Sequence, residues 1–529
     1  MGSEQAALPG LALAQEAHSP ADESASSKEG KGERAPKPRF QEIDRKQLFW
    51  RTVDVERLIP DDHPARAIWE FVGKLDLSGY TVQIRAVEGM AGRPALNPQL
   101  LISLWVYAYS QGVGSARAIE KLCENDPPYQ WLTGMEVVNA HSLSDFRVAN
   151  EPSLKRLFVQ ILALLSADGL ITLERVTQDG TKIRASAASN SFRGKERIEK
   201  AMRAALEQVE AVSQIPEEES SLRKAKARER AQRERKERLG SALDEFEKLQ
   251  GEGRVKDKKK TRVSTTDPEA RVMKQPDGGF APSYNAQVDT DAAHGVIVAV
   301  AVTQAGNDFE QLTPGGDRVE QNLGKSPDQV VADGGYVSRD NIVEMKLRGV
   351  EFIGPQCDEE GKGKSSYEGR GVSPEYHSSL FVYDAASNSF RCPQGKTLHY
   401  EGKDESNSQV SHRYRAEMAD CQVCPAKGQC CPGNQVTGRS VNRTEELPEV
   451  TEFRQKMQSE EARKIYRQRA QVAETPNLWI KAKFKLRQFS VRGLRKVGME
   501  ALWACLTYNI RLWIRLRWRR EGAVAAATA

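Results

Sequence analysis

The chain lacks any apolar run long enough to cross a bilayer. Its longest apolar stretches, Leu100 to Tyr109 and Leu157 to Ile171, are too short or too interrupted for the ~20 residues that a helical span needs, and they read as core helices. A signal peptide is missing as well, because the only apolar stretch in the first 38 residues, Leu8 to Ala14, is broken and sits in Ala-, Ser-, Glu-, Gly- and Pro-rich sequence expected to be disordered. Net charge is small, +5 from 78 Lys+Arg against 73 Asp+Glu, and excludes nothing by itself. Its distribution says more. No acidic residue occurs from Thr475 to Met499, while Lys481, Lys483, Lys485, Arg487, Arg492, Arg495 and Lys496 fall there, and Arg511, Arg515, Arg517, Arg519 and Arg520 follow. A polyanion suits that surface, and so does plain solvation of a helical face.

Three acids stand out, each in its own context. Asp179 in VTQDGTKIRA closes a run of β-forming residues before Gly180, which predicts a carboxylate at a strand end. Asp333 in DQVVADGGY repeats the pattern, with Gly334 and Gly335 allowing a sharp turn past the acid. Glu474 lies in YRQRAQVAETPNLWIK, where helical spacing lays Tyr466, Arg469, Glu474 and Lys481 along neighbouring turns until Pro476 disturbs the helix. Two strand-end aspartates and a helical glutamate form a hard-oxygen set that suits a pair of Mg²⁺ ions.

In this order, together with GRPALNP (Gly92 to Pro98), HSLSDFR (His141 to Arg147) and YNAQVDTDAAHGVIVAVAVTQAGND (Tyr284 to Asp308), these segments make the chain resemble a DDE-class transposase of a bacterial insertion sequence, of the branch with the Tyr/Arg/Glu/Lys signature and a cysteine-cluster insertion. The resemblance spans roughly residues 40 to 515. It departs from the family pattern at Thr475 to Trp479, where an HPFG-like sequence is usual, and in having four rather than three residues between Arg469 and Glu474.

The resemblance implies a transposase that binds the terminal inverted repeats of double-stranded DNA and catalyses Mg²⁺-dependent cleavage and strand transfer, with Mn²⁺ able to substitute. Asp179, Asp333 and Glu474 would be catalytic and hold two metal ions; Tyr466, Arg469, Lys481, Lys483, Lys485 and Arg147 would contact DNA. A homo-oligomer, dimeric in the synaptic complex, and a cytoplasmic, nucleoid-associated location are expected with it. Two other readings remain: a nuclease of the same fold without strand transfer, and a non-catalytic DNA-binding regulator derived from a transposase.

The expected fold class is α/β, a ribonuclease H-like core with insertions. Residues 39–170 carry helical periodicity broken by prolines and read as a helical domain, DNA-end binding by the resemblance. The catalytic core takes residues 171–194, 263–380 and 440–516. Strands Tyr284 to Thr290 and Gly295 to Thr303 form a hairpin, past which Asn307 and Asp308 read as a turn-capping pair. A charged helical hairpin fills 195–262, its seam marked by Ile198, Met202, Ala205, Val209 and Val212, and its Arg223 to Arg238 stretch either tracks DNA or is solvated.

Cysteine is sparse, 8 residues in 529. Cys123, Cys357 and Cys505 stand alone as small hydrophobes. The remaining five cluster in 381–439, where CPQGK and DCQVCPAKGQCCP offer Cys392, Cys421, Cys424 and Cys430 as a tentative Zn²⁺ set, with Cys431 as substitute. Turn-rich sequence with little apolar content of its own suggests that this unit folds around its metal; a reduced, metal-free cluster is the alternative. Residues 517–529 form a tail.

Overall fold

The computed structural model describes residue 46 and residues 52–82, 84, 86–87, 94–213, 222–251, 261–355, 369–406, 409–432, 437–445 and 447–519. The N-terminal tail, Cys357 and Arg520 fall outside them.

Helices come first. Helix α1 (Pro64–Gly73) starts where His63 accepts a hydrogen bond from the Ala65 amide, and α2 (Pro98–Ser110) where Asn97 accepts one from Gln99, each with proline in the first turn, where its missing N–H costs nothing. Helix α3 (Glu151–Ala167) follows and buries Leu154, Leu157, Phe158, Ile161, Leu162 and Leu165. These helices do not form a core of their own: their buried residues continue into the strands and the late helix Leu494–Trp513 as one cluster.

Strand β1 (Arg175–Arg184) opens the central sheet, followed by β2 (Arg271–Lys274), β3 (Phe280–Asp291), β4 (Ile297–Thr303), β5 (Gln329–Ala332) and β6 (Glu351–Ile353). The path is β2-β3-β1-β5-β6, with β4 also paired to β3. β3 runs antiparallel to β1 and β4, whereas β5 runs parallel to β1 and β6. Parallel neighbours need crossovers, and helices α6 (Leu312–Leu323) and α7 (Arg339–Leu347) supply them. Between β1 and β2, α4 (Lys195–Ser213) and α5 (Leu222–Gly251) pack through Ile198, Ala205, Leu239, Ala242 and Phe246.

The segment expected to depend on metal is better built than its sequence suggested. Strands β7 (Val382–Asp384), β8 (Ser389–Arg391), β9 (Thr397–Ser406), β10 (Gln409–Ala416) and β11 (Ser440–Thr444) form an antiparallel sheet with its own core of Phe381, Phe390, Leu398, Tyr414, Ala416 and Val441. Alternation along the long hairpin β9–β10 puts those few apolar side chains on one face, so a small apolar content suffices.

The chain closes with α8 (Pro448–Gln458), α9 (Glu460–Leu478) and α10 (Leu494–Trp513). Helix α10 is buried almost throughout and locks onto β4 through Asn509, whose amide accepts from Ile297 N (2.9 Å) and donates to Ile297 O (2.8 Å). No helix among the described residues is long and apolar enough to cross a membrane.

Candidate active site

The site is set by register. Parallel pairing of β1 with β5 ends at Gln178 opposite Ala332, so Asp179 and Asp333 are the next residues on adjacent strands. Asp179 is not at the end of its own strand, as Gly180 suggested: β1 runs on to Arg184 because β3 continues to pair with it, Asp179 facing Val288. Only the β5 side falls away, and that opening makes room for the carboxylate, which stays largely buried.

A third carboxylate comes from the loop after β4. Asp308 Oδ1 accepts hydrogen bonds from Asn285 Nδ2 (2.7 Å) and Gln287 Nε2 (2.6 Å), and Tyr336 hydroxyl in turn holds Gln287 Oε1. A Cβ at Gly180 would collide with the Asp308 carboxylate, and one at Gly335 would crowd both Asp333 and Asp308. Glycine at these positions is therefore what lets the acids approach. Asp308 still caps its turn, its carbonyl accepting from Gln311 N (3.0 Å), but its side chain belongs to the site. The sequence held a signal for this in NAQ after Tyr284, whose alternate polar side chains, Asn285 and Gln287, reach from β3 to Asp308.

Helix α9 covers the acids. Arg469 Nη1 lies 3.6 Å from Asp179 Oδ1, and Asn477 Nδ2 donates to Asp179 Oδ2 at 2.8 Å and to Ala473 O at 3.2 Å. Residues 469, 473 and 477 lie four apart, so one helix face meets the carboxylate. Pro476 does not end this helix; its ring costs one N–H, and the departure comes later, in a wide π-turn over Trp479–Lys483. Asn477 was missed by sequence reasoning, and it lies in the segment that departs from the family pattern.

Burial pushes the Asp179 carboxyl up to about 6; Arg469 and the Asn477 hydrogen bond oppose this, while Asp333 and Asp308 reinforce it. Lys481 is half-buried, and burial lowers its pKa while Asp179 pulls it back up. Burial leads both shifts, and the charges gathered at this spot modify them.

The other expected site residues fall as follows. Glu474 is on α9 with an exposed side chain, on neither the Asn477 nor the Arg469 contact to Asp179. Tyr466 is half-buried with the Arg469 guanidinium 5.8 Å from its ring. Lys483 and Lys485 are exposed. Arg147 is not available to DNA. It is 5% exposed, donates to Tyr109 Oη (3.3 Å) and Gly114 O (2.9 Å), pairs with Glu500 at 3.6 Å and stacks on Trp105. A guanidinium next to aromatic and carbonyl acceptors is a packing group, and no local pattern marks the distant Glu500 that neutralises it.

The five clustered cysteines line one small pocket with Lys396 and Arg439. Lys396 N donates to Cys392 Sγ (3.3 Å) and Arg439 N to Cys421 Sγ (3.4 Å); Cys430 and Cys431 sulfurs lie 3.9 Å apart. The proton they share holds the Cys430 thiol well above its usual range and brings Cys431 down to about 7. Among the described residues, no three His, Cys, Asp or Glu side chains are drawn together closely enough to hold one metal ion.

Residues 391–513 match the family model of a transposase DDE domain, and residues 53–149 match that of the transposase domain DUF772. The first match takes in the cysteine cluster and Glu474; the second takes in the N-terminal helices. No curated protein and no solved structure matches the chain.

Proposed function

From the chain's membership of the insertion-sequence DDE transposases, enzymes that cut and join DNA, we propose that it binds the terminal inverted repeats of its element and uses Asp179, Asp333 and Glu474 for cleavage and strand transfer. The observation that carries this reading is the adjacency of Asp179 and Asp333 on neighbouring parallel strands, under a helix that bears Glu474. The strand path, with β3 antiparallel to β1 and β4 on one side and β5 and β6 parallel to β1 on the other, supports a ribonuclease H-like core.

Hard carboxylate oxygens fit Mg²⁺ or Mn²⁺ in donor chemistry, and the buried Asn477 Oδ1, left without a hydrogen-bond donor, adds a neutral oxygen beside them. When bound, the metal supplies Lewis-acid stabilisation of attacking and leaving oxygens. The chain's own part is to keep Asp179 ionised through Arg469 and Asn477, to hold Asp308 and Asp333 beside it, and to offer Glu474 from a side chain exposed enough to turn inward. Lys481, Lys483 and Lys485 would then meet phosphates of the strand being cut. A dimer on paired transposon ends, associated with the nucleoid, belongs to the same reading.

The cysteine pocket is read as a zinc unit of Cys392, Cys421 and Cys424 with Cys430 or Cys431. Its support is the backbone N–H donors aimed at two sulfurs and the lowered Cys431 thiol.

The deciding experiment incubates full-length protein with DNA carrying the element's terminal repeats and Mg²⁺. Cleavage and joining are expected from the native chain and neither from Asp179→Asn, Asp333→Asn or Glu474→Gln, all of which still bind DNA. Cleavage without joining would instead make the protein a nuclease, and binding without cleavage by the native chain a regulator.

A further inference from the structure

The π-turn and the end of α10 enclose a recess of ≈ 170 Å³ lined by Trp479, Tyr508, Leu512, Ile514 and three arginines, Arg511, Arg515 and Arg519. It adjoins a second recess of ≈ 380 Å³, which shares Tyr508 and Arg515 and adds Arg175, Gln468, Arg469 and Thr475 among its walls. Among the described residues lining either recess there is no aspartate or glutamate. For a chain with nearly as many acids as bases this is not an average surface, and a solvated helical face does not explain it. Arg511 is half-buried, and burial, then the like charge of Arg519, lower its pKa; the Tyr107 phenol is the group that favours its charge. One half-buried and two exposed cations gathered around one recess, with no carboxylate in its wall, leave a deficit that an anion from outside would fill.

The aromatic wall narrows the choice of anion. Trp479 meets Phe484 and Tyr508 at 68° and 73°, so neither ring stacks parallel on the indole. A planar group with an attached anion fits Trp479 beside the arginines better than a bare anion does. Arg469 then links the place to the acids, because it lines the larger recess and also faces Asp179.

We propose that the recess formed by Trp479, Tyr508, Arg511, Arg515 and Arg519 holds an unpaired segment of a nucleic-acid strand, its phosphates on the arginines and one base on Trp479. The proposal rests on DNA being the substrate and adds where a separated strand runs: from the C-terminal end of α10, past Arg469, to the acids. Base-to-aromatic contact and a basic groove together are the physical means by which single strands are held without regard to sequence.

The test measures binding of a short labelled single-stranded oligonucleotide and of the matching blunt duplex to full-length protein, without divalent metal, at several salt concentrations. Arg515→Gln and Arg519→Gln, both at exposed positions, are expected to weaken single-strand binding, each reducing the salt slope by roughly 0.7, with a smaller effect on the duplex. Trp479→Leu is expected to weaken it roughly 5- to 150-fold, the range for one stacked base. An oligonucleotide of abasic residues should bind the native protein less tightly than its parent but bind Trp479→Leu no less tightly. Unchanged affinity and slope in both arginine variants overturn the proposal, and they do so even where Trp479→Leu fails to fold. Displacement of the oligonucleotide by inorganic phosphate at matched ionic strength overturns it too, marking a small-anion site. Cleavage that survives Asp179→Asn would count against the transposase reading alone and leave these binding measurements as they stand.

Discussion

At the scale of single residues, Asn477 and Arg147 show how position outranks residue type. Asn477 donates to Asp179 from the segment that departs from the family pattern, and its bond favours the ionised carboxylate against burial. Asn477→Leu removes that donor with little change in volume. The acid limb of the cleavage rate against pH is expected to move to higher pH, with the rate at the alkaline plateau changed much less. A uniform loss at every pH would instead mean that Asn477 acts through packing or through its Oδ1 at the metal, and not on the titration of Asp179. Arg147 makes the opposite case. Removing it leaves Glu500, 1% exposed, with the Ser490 and Val491 donors alone among the described residues, so Arg147→Met should cost about 3 kcal/mol of stability, the scale for breaking a buried pair. Denaturant unfolding gives that figure, and the salt slope of DNA binding should not change. A slope lowered by one charge with stability intact would return Arg147 to the DNA surface.

At the scale of elements, α9 and the cysteine sheet each do something their sequences only half disclosed. The acid-free run after Glu474 reads as a uniform basic face, yet the π-turn splits it: Lys481 turns toward Asp179 and is half-buried, while Lys483 and Lys485 remain exposed. Lys481→Ala is therefore expected to reduce cleavage more than it reduces DNA affinity, whereas Lys483→Ala and Lys485→Ala should each lower the salt slope by roughly one unit with little sequence dependence. An equal loss of affinity in all three variants would show that the run acts as one phosphate surface. In the cysteine segment, the hairpin β9–β10 carries an apolar core, and the cysteines gather at the loops beside it. If the pocket holds zinc as proposed, treatment with a chelator should accordingly leave the sheet's amide protection in place and loosen residues 417–432. Loss of protection throughout 382–444 would restore dependence of the whole unit on metal.

For the whole molecule, what could be read in advance was whatever repeats locally. A β-forming run closed by glycines placed Asp333 just past β5 and proline-punctuated periodicity marked the helices, while Asp179, expected at a strand end, lies within a strand that runs on to Arg184. The hairpin β3–β4 was equally legible, because a tight turn joins two apolar strands. What escaped depends on contacts across hundreds of residues. Asp308 joins the acids through side chains of β3, Arg147 is claimed by Glu500, and the N-terminal helices share their core with α10, so no local pattern marks them. The same long-range assembly sets how stability follows pH. Asp289, near the end of β3 and 1% exposed, has its carboxyl pushed up to about 6 by burial, against the pull of Arg318 3.7 Å away. In the unfolded chain the same group titrates near 3.8. The folded state therefore holds a proton that the unfolded state has released, and its contribution is fully present below the unfolded value and lost as pH rises to about 6. Asp179, also raised to about 6, adds a limb of the same sign in the metal-free protein. Thermal midpoints measured without divalent metal should thus fall between about pH 4 and 6, and Asp289→Asn should flatten that limb. Mg²⁺ needs the ionised form of Asp179, so its stabilising effect should grow over the same interval and oppose the fall. Midpoints that rise with pH in the absence of metal would mean that the carboxylates paired at the surface outweigh these two buried ones.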